Sequence, residues 1–195
     1  MPIPQPDPVD SRERILSAAR AVFAADGLDA QLETIAKAAR VGVGTIYRRV
    51  GNKNDLIQEI AERHFGELVT RMSLALDDDD PWGAFSLEFR RSVAEYSTDR
   101  GFRELVLGSV NGSFGWARGS RPEHLEAAMR SWSATMEKVI DRLIARAHES
   151  GDLRADATGP LILRLSLALQ SVAGFGDEAE QYRAISVVLD GLRAR

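Results

Sequence analysis

Between Gly27 and Gly51 the chain has room for only two short helices, separated by a three-residue turn. Leu32, Ile35, Ala36 and Ala39 recur at i, i+3, i+4 and i+7, the spacing of one helical face over about eight residues. Arg40-Val41-Gly42 interrupts that period, and a second short run, Val43 to Val50, follows with Ile46 and Val50 on its inner side. A longer helix precedes the pair: Asp10 and Glu13 read as a capping box, Ile15, Leu16, Ala19, Val22 and Phe23 as the buried stripe, and Gly27 as the stop. After Gly51, Asn52 reads as an N-cap with Asp55 at N3, opening a fourth helix through Leu56, Ile60, Phe65, Leu68, Met72 and Leu76. This end of the chain is therefore expected to be a three-helix unit containing a helix-turn-helix.

The rest keeps the helical period. Asp77–Asp80 is an acidic loop ending in Asp80-Pro81, a cap followed by proline at the first helical position. Helices are expected at about 81–98 and 101–110, from Pro122 to about Glu149, and at about 158–174 and 177–193. Gly108 to Gly119, with four glycines and two aromatics, reads as a loop. With no strand-period segment and no internal repeat, the fold class is all-α, of about nine helices. Residues 1–8 are expected to form a flexible arm, 9–55 a head and 56–195 a helical body.

Composition excludes several classes of chemistry. The 195 residues contain no cysteine, which removes thiol nucleophiles, disulfide frameworks and Cys-based zinc sites. His64, His124 and His148 are scattered, so no metal and no cofactor are expected. An enzyme on a helical bundle finds no G-x-S-x-G and no Glu-x-x-His pair in its support. Gly42-Val43-Gly44 follows a helix and lacks the third glycine of a dinucleotide loop. The acids of Asp77–Asp80 point in different directions and suit a solvated loop. The apolar run Leu161 to Phe175 is interrupted by Arg164 and too short to span a bilayer. Four prolines and no apolar segment in residues 1–8 argue against a signal peptide, so a soluble cytoplasmic protein is expected.

Charge is distributed unevenly. The net charge is −4, yet the chain up to Asp55 holds eight basic and seven acidic residues, against 17 and 22 beyond it. The window Thr34 to Asn54 carries Lys37, Arg40, Arg48, Arg49 and Lys53 and no acid. A basic patch on an acidic protein suits a small head that touches phosphates while the body stays clear. The major groove of DNA, ~12 Å wide, admits one helix, so the second of a tight pair can present side chains to base edges. On that helix Val43, Gly44, Thr45, Tyr47, Arg48 and Arg49 are left for the groove and its walls. Arg40 in the turn and Lys53 at the start of the fourth helix are candidate phosphate contacts, and either Arg48 or Arg49 suits guanine or phosphate.

The segments "ILSAARAVFAADGLDA", "IAKAARVGVGTIYRRV" and "NKNDL", spanning Ile15 to Leu56, resemble the tetracycline-repressor-like (TetR) family of regulators. The resemblance implies a ligand-binding and dimerisation body, a homodimer with two heads, a palindromic double-stranded DNA operator, and release of DNA when a small-molecule effector binds. Three positions depart from the family pattern. Arg40 stands where glycine is usual, at a cost on the order of 1 kcal/mol if the position is left-handed. Val50-Gly51 replaces Phe-Pro, and Gln31 stands where a Ser or Thr cap is common.

Two further sets are singled out in the body. Phe85, Phe89, Phe102, Phe114, Trp116, Met129, Trp132 and Met136 crowd the middle of the chain and suit an apolar ligand pocket, hence an apolar or aromatic effector. Leu161, Leu165, Leu169 and Val172, with Ile185, Val188, Leu189 and Leu192, form apolar stripes on the last two helices, and a four-helix dimer interface with Gln170 reaching across the two-fold is expected. An interaction protein of the same fold that senses no small molecule is the alternative.

Overall fold

The structure is a computed structural model that describes residues 8–111, 123–173 and 177–194. Among these residues run nine α-helices: α1 Pro8–Asp26, α2 Leu32–Ala39, α3 Val43–Arg49, α4 Lys53–Ala75, α5 Pro81–Thr98, α6 Arg100–Asn111, α7 Glu123–Glu149, α8 Gly159–Ala173 and α9 Glu178–Leu192. No strand forms among them, and an isolated antiparallel bridge pairs Leu153 with Arg193. Backbone contacts divide the chain into two compact units, residues 1–65 with 98–130, and residues 66–97 with 131–195. The divisions fall inside α4 and α7 and at the end of α5.

In the first unit α1 buries Ile15, Leu16, Ala19 and Phe23, as the period requires. It begins at Pro8, two residues before the expected cap at Asp10, because proline is pre-organised for the first helical position. Residues 1–7 of the expected arm lie outside the described residues. Gly27, at φ 84°, ends the helix in a conformation that a side chain would strain. Helix α6 packs against this end of α1: the Leu28 N–H donates to Glu104 Oε2 at 2.8 Å, and a Cβ on Gly101 would lie 2.9 Å from the Phe23 carbonyl. Asp99 caps α6, accepting from the Phe102 N–H at 2.8 Å. The first part of α4 is tied to α1 by ion pairs, Arg12 to Glu59 and Arg63 to Glu13, and Arg63 also pairs with Glu59 along α4 itself.

The second unit is built around Phe85, Phe89, Val93, Ile144, Ile162 and Leu169, with Ile185, Leu189 and Leu192 of α9. Asp80 caps α5 as expected, accepting from the Gly83 N–H at 2.9 Å. Asp177 caps α9 through the Glu180 N–H at 2.8 Å. Glu88 is only 3 % exposed, and its carboxylate is held by Arg71 at 2.9 Å and Arg91 at 3.0 Å. Arg71 also pairs with Glu95. Arg146 of α7 donates to the carbonyls of Leu76 and Asp78 just beyond α4, where a cation suits a helix C-terminus.

The stripes expected at a dimer face divide. Leu169, Ile185, Leu189 and Leu192 are buried in this unit's own core, a correction whose reason is that α8 and α9 turn those residues inward on the same chain. Leu165 and Val188 pack half-buried against that core, and Leu161 is exposed. The side chains of Gln170 and Val172 lie outside the described residues. Val187, 71 % exposed, and Tyr182 stand on the outward side of α9, with the Arg90 guanidinium 4.8 Å from the Tyr182 ring centre. Among the described residues no helix is long and apolar enough to cross a membrane.

Candidate functional site

Helices α2 and α3 are joined by Arg40-Val41-Gly42, and the turn is closed by the backbone. The Val41 N–H reaches the Ala36 carbonyl at 2.9 Å and the Arg40 N–H the Lys37 carbonyl at 3.2 Å, the Schellman pattern of a helix end. Arg40 sits at φ 56°, ψ 45°, the left-handed conformation that makes glycine usual there. Gln31, at the N-cap of α2, makes no side-chain cap bond, in keeping with the poor capping of glutamine. Ile46 is wholly buried and fixes α3 against the unit's core, while Val50 is half-buried.

That anchoring leaves one side of α3 outward. Gly44, Tyr47, Arg48 and Arg49 are exposed, Tyr47 by 55 %, and Val43 and Thr45 are half-buried. Arg48 lies along its own helix, 3.4 Å from Thr45 Oγ1. Arg40, Thr45, Arg48 and Arg49 line a surface concavity with Val41, Ser11 and Arg14. Ser11 and Arg14 were not singled out from sequence. Their i, i+3 spacing on α1, one turn before the buried stripe, is the signal that points to them.

The electrostatics of the two faces differ. Arg12, Arg63 and Arg100 of the same unit are each bound to carboxylates. Arg40 and Arg49 have no carboxylate partner among the described residues, and neither does Lys37. Lys53 is the first residue of α4 and half-buried. Burial lowers its pKa, while the carboxylates of Asp29 and Glu104 act in the opposite direction. Just before it, the Asn52 N–H donates to Asp55 Oδ2 at 2.8 Å, and the N–H groups of Asn54 and Asp55 donate to Asn52 Oδ1 at 2.8 and 3.2 Å. This reciprocal box is the one expected, and it fixes where Lys53 emerges.

The second unit contains a cavity of about 440 Å³ that is open to solvent. Phe85, Glu88, Phe89, Ser92 and Tyr96 face it from α5, Glu137, Ile140, Asp141 and Ile144 from α7, Ile162 and Ser166 from α8, and Met72 from α4. Of the expected pocket residues, Phe85 and Phe89 are there. Trp132 and Met136 lie on α7 but are not part of the lining, and Phe102 belongs to the first unit, its ring centre 4.0 Å from that of His64 and 5.6 Å from that of Phe65. The side chains of Phe114, Trp116 and Met129 lie outside the described residues. Burial pushes the Tyr96 phenol up to about 12, with the Glu95 carboxylate adding to the effect, so it faces the cavity as a neutral group. Glu88, Tyr96, Glu137 and Asp141 are not among the expected pocket residues, although each falls at helical spacing from an apolar residue of the lining. Among the described residues no cluster of His, Asp and Glu is placed to hold a metal ion.

Residues 15–60 match the family model for bacterial regulatory proteins of the tetR family, and residues 80–194 match that for the C-terminal domain of SbtR-like transcriptional regulators. The HTH-type transcriptional regulator UidR of Escherichia coli is 25 % identical over 187 residues, covering 94 % of this chain and 90 % of UidR. A TetR transcription regulatory protein from Mycobacterium vanbaalenii superimposes with a TM-score of 0.65 at 28 % identity, over 96 % of this chain and 98 % of that one. A TetR-family regulator from Agrobacterium tumefaciens gives 0.76 at 15 % identity, over 96 % and 100 %, a likeness of fold.

Proposed function

The chain belongs to the TetR family of bacterial transcriptional regulators, and on that premise we propose that it is a cytoplasmic repressor that binds a palindromic operator as a homodimer and leaves it when a small molecule occupies the body. Residues 9–55 serve as the reading head and 56–195 as the effector-binding and dimerising body. The observation that carries the DNA reading is the contrast in pairing: the arginines joining α1 to α4 are neutralised by carboxylates, while Arg40 and Arg49 beside the outward side of α3 are not. Uncommitted cations around a short exposed helix are what a phosphate-lined groove requires. Val43, Gly44, Thr45, Tyr47 and Arg48 stand at the groove, and Arg40, Arg49 and Lys53 at its walls.

The effector site in this reading is the cavity lined by Phe85 and Phe89. Helix α4 carries Leu56 and Ile57 of the first unit and Met72 of the cavity lining on one continuous element, so an occupant that favours one placement of α4 biases the heads. Couplings of this kind are typically ~1–3 kcal/mol. Leu161, Leu165 and Val188, with Tyr182 and Val187 beside them, offer the surface for pairing through α8 and α9.

Titrating a fluorescent mixed-sequence duplex with the protein over a range of salt concentrations tests the head. Tyr47→Ala should weaken binding across sequences, and Lys53→Ala should also reduce the slope of log affinity against log salt by about 1. Unchanged affinity and slope in both variants contradict the assignment.

A further inference from the structure

The charge of the cavity narrows the chemistry of what it holds. Its charged lining residues are Glu88, Glu137 and Asp141, and the lining contains no lysine or arginine. Both oxygens of Glu88 are occupied by Arg71 and Arg91, so that carboxylate is already compensated. Glu137 and Asp141 have no ion-pair partner among the described residues. They stand at i and i+4 on α7, with Ile140 and Ile144 on the same face, and like charges at that spacing repel. Lys138 and Arg142 lie near the two acids on α7, Lys138 at i and Asp141 at i+3, yet neither cation forms an ion pair with them among the described residues. The same cavity is lined by rings and aliphatic side chains: Phe85, Phe89 and Tyr96 of α5, and Ile162 of α8.

We infer that the effector is a cationic amphiphile, an amine or quaternary ammonium on an aromatic or apolar body. The inference rests on the reading of this cavity as the effector site. The positive group sits by Glu137 and Asp141 and relieves their mutual repulsion, while the body covers Phe85 and Phe89. Ring faces attract a cation as well as an apolar group, so the acids and the rings of the lining favour the same class of molecule. A carboxylate or phosphate ligand meets two uncompensated acids and no lining cation, and is disfavoured.

Three probes share one body and differ in charge: (2-naphthylmethyl)trimethylammonium, 2-naphthalenemethanol and 2-naphthoate. Isothermal titration of the full-length protein with each should rank them ammonium, alcohol, carboxylate, with the first at least about tenfold tighter than the second. In the Glu137→Gln, Asp141→Asn double variant, both positions being exposed, the ratio of ammonium to alcohol affinity should fall to about threefold or less. A carboxylate that binds as tightly as the ammonium, or a preference that survives the double substitution, overturns the inference. Binding of the alcohol with no preference for charge overturns it while leaving the cavity a ligand site. Failure of all three to bind overturns both readings.

Discussion

The guanidinium of Arg14, on α1, donates to the main-chain carbonyl of Ala39, the last residue of α2, at 2.9 Å, and reaches the Arg40 carbonyl at 3.4 Å. A side chain from the bracing helix thereby satisfies carbonyls that the end of α2 leaves open, and its charge suits a helix C-terminus. The turn that aims α3 is thus held from behind. Arg14→Ala should lower the free energy of unfolding by about 1–2 kcal/mol, read as a shift in the urea midpoint at constant slope. No shift would mean that the turn is held by its backbone bonds alone.

Arg40 separates stability from function. Its left-handed backbone costs a side-chain-bearing residue on the order of 1 kcal/mol that glycine does not incur. Arg40→Gly should therefore leave the protein as stable or up to about 1 kcal/mol more stable, while its affinity for DNA falls and the salt slope drops by about 1. Parallel thermal melts and DNA titrations check both halves. A variant that binds DNA as well as the native protein assigns Arg40 no phosphate.

Gly51 makes a less intuitive prediction, because proline is usual there in the family that this chain resembles. Here the position has φ 118°, its N–H donates to the Ile46 carbonyl at 3.2 Å, and a Cβ would overlap the Asp55 carboxylate that completes the α4 box. Proline fixes φ near −65° and has no N–H. Gly51→Pro should destabilise the protein by more than about 1 kcal/mol in denaturant unfolding. A neutral result would show that the loop adopts the other conformation at little cost.

These positions show what the sequence carries and what it leaves out. Helix ends were legible where the cap chemistry is local: Asn52 with Asp55, Asp80 with Pro81, and Gly27 with its positive φ. The association of α6 with α1 was not, since it depends on Gly101 clearing the Phe23 carbonyl and on Glu104 reaching the Leu28 N–H, residues more than seventy positions apart. Phe102 was grouped with the body's aromatics because periodicity reports that a residue is buried and not what buries it. The same blindness applied to Leu169, Ile185, Leu189 and Leu192. An apolar stripe reads identically whether its cover is the same chain or a second copy.

Acid should act on the tie between α1 and α4. Hydrogen bonds from the Arg63 guanidinium, both at 2.8 Å, hold the Glu13 carboxyl below its ordinary pKa. A carboxyl with a lower pKa folded than unfolded adds stability above the unfolded value and loses it as pH falls through the folded one. Glu13→Gln should thus melt below the native protein at about pH 7, with the gap closing below about pH 4. A gap that widens in acid would contradict the pairing.

In the proposed function two identical heads read DNA together. Selection of binding sites from random double-stranded DNA with the purified full-length protein tests it most directly. The expected result is an enriched palindrome whose two half-sites are separated by a fixed spacing, set by the distance between recognition helices in the dimer. Enrichment of a single asymmetric site, or of no sequence at all at low salt, would contradict it.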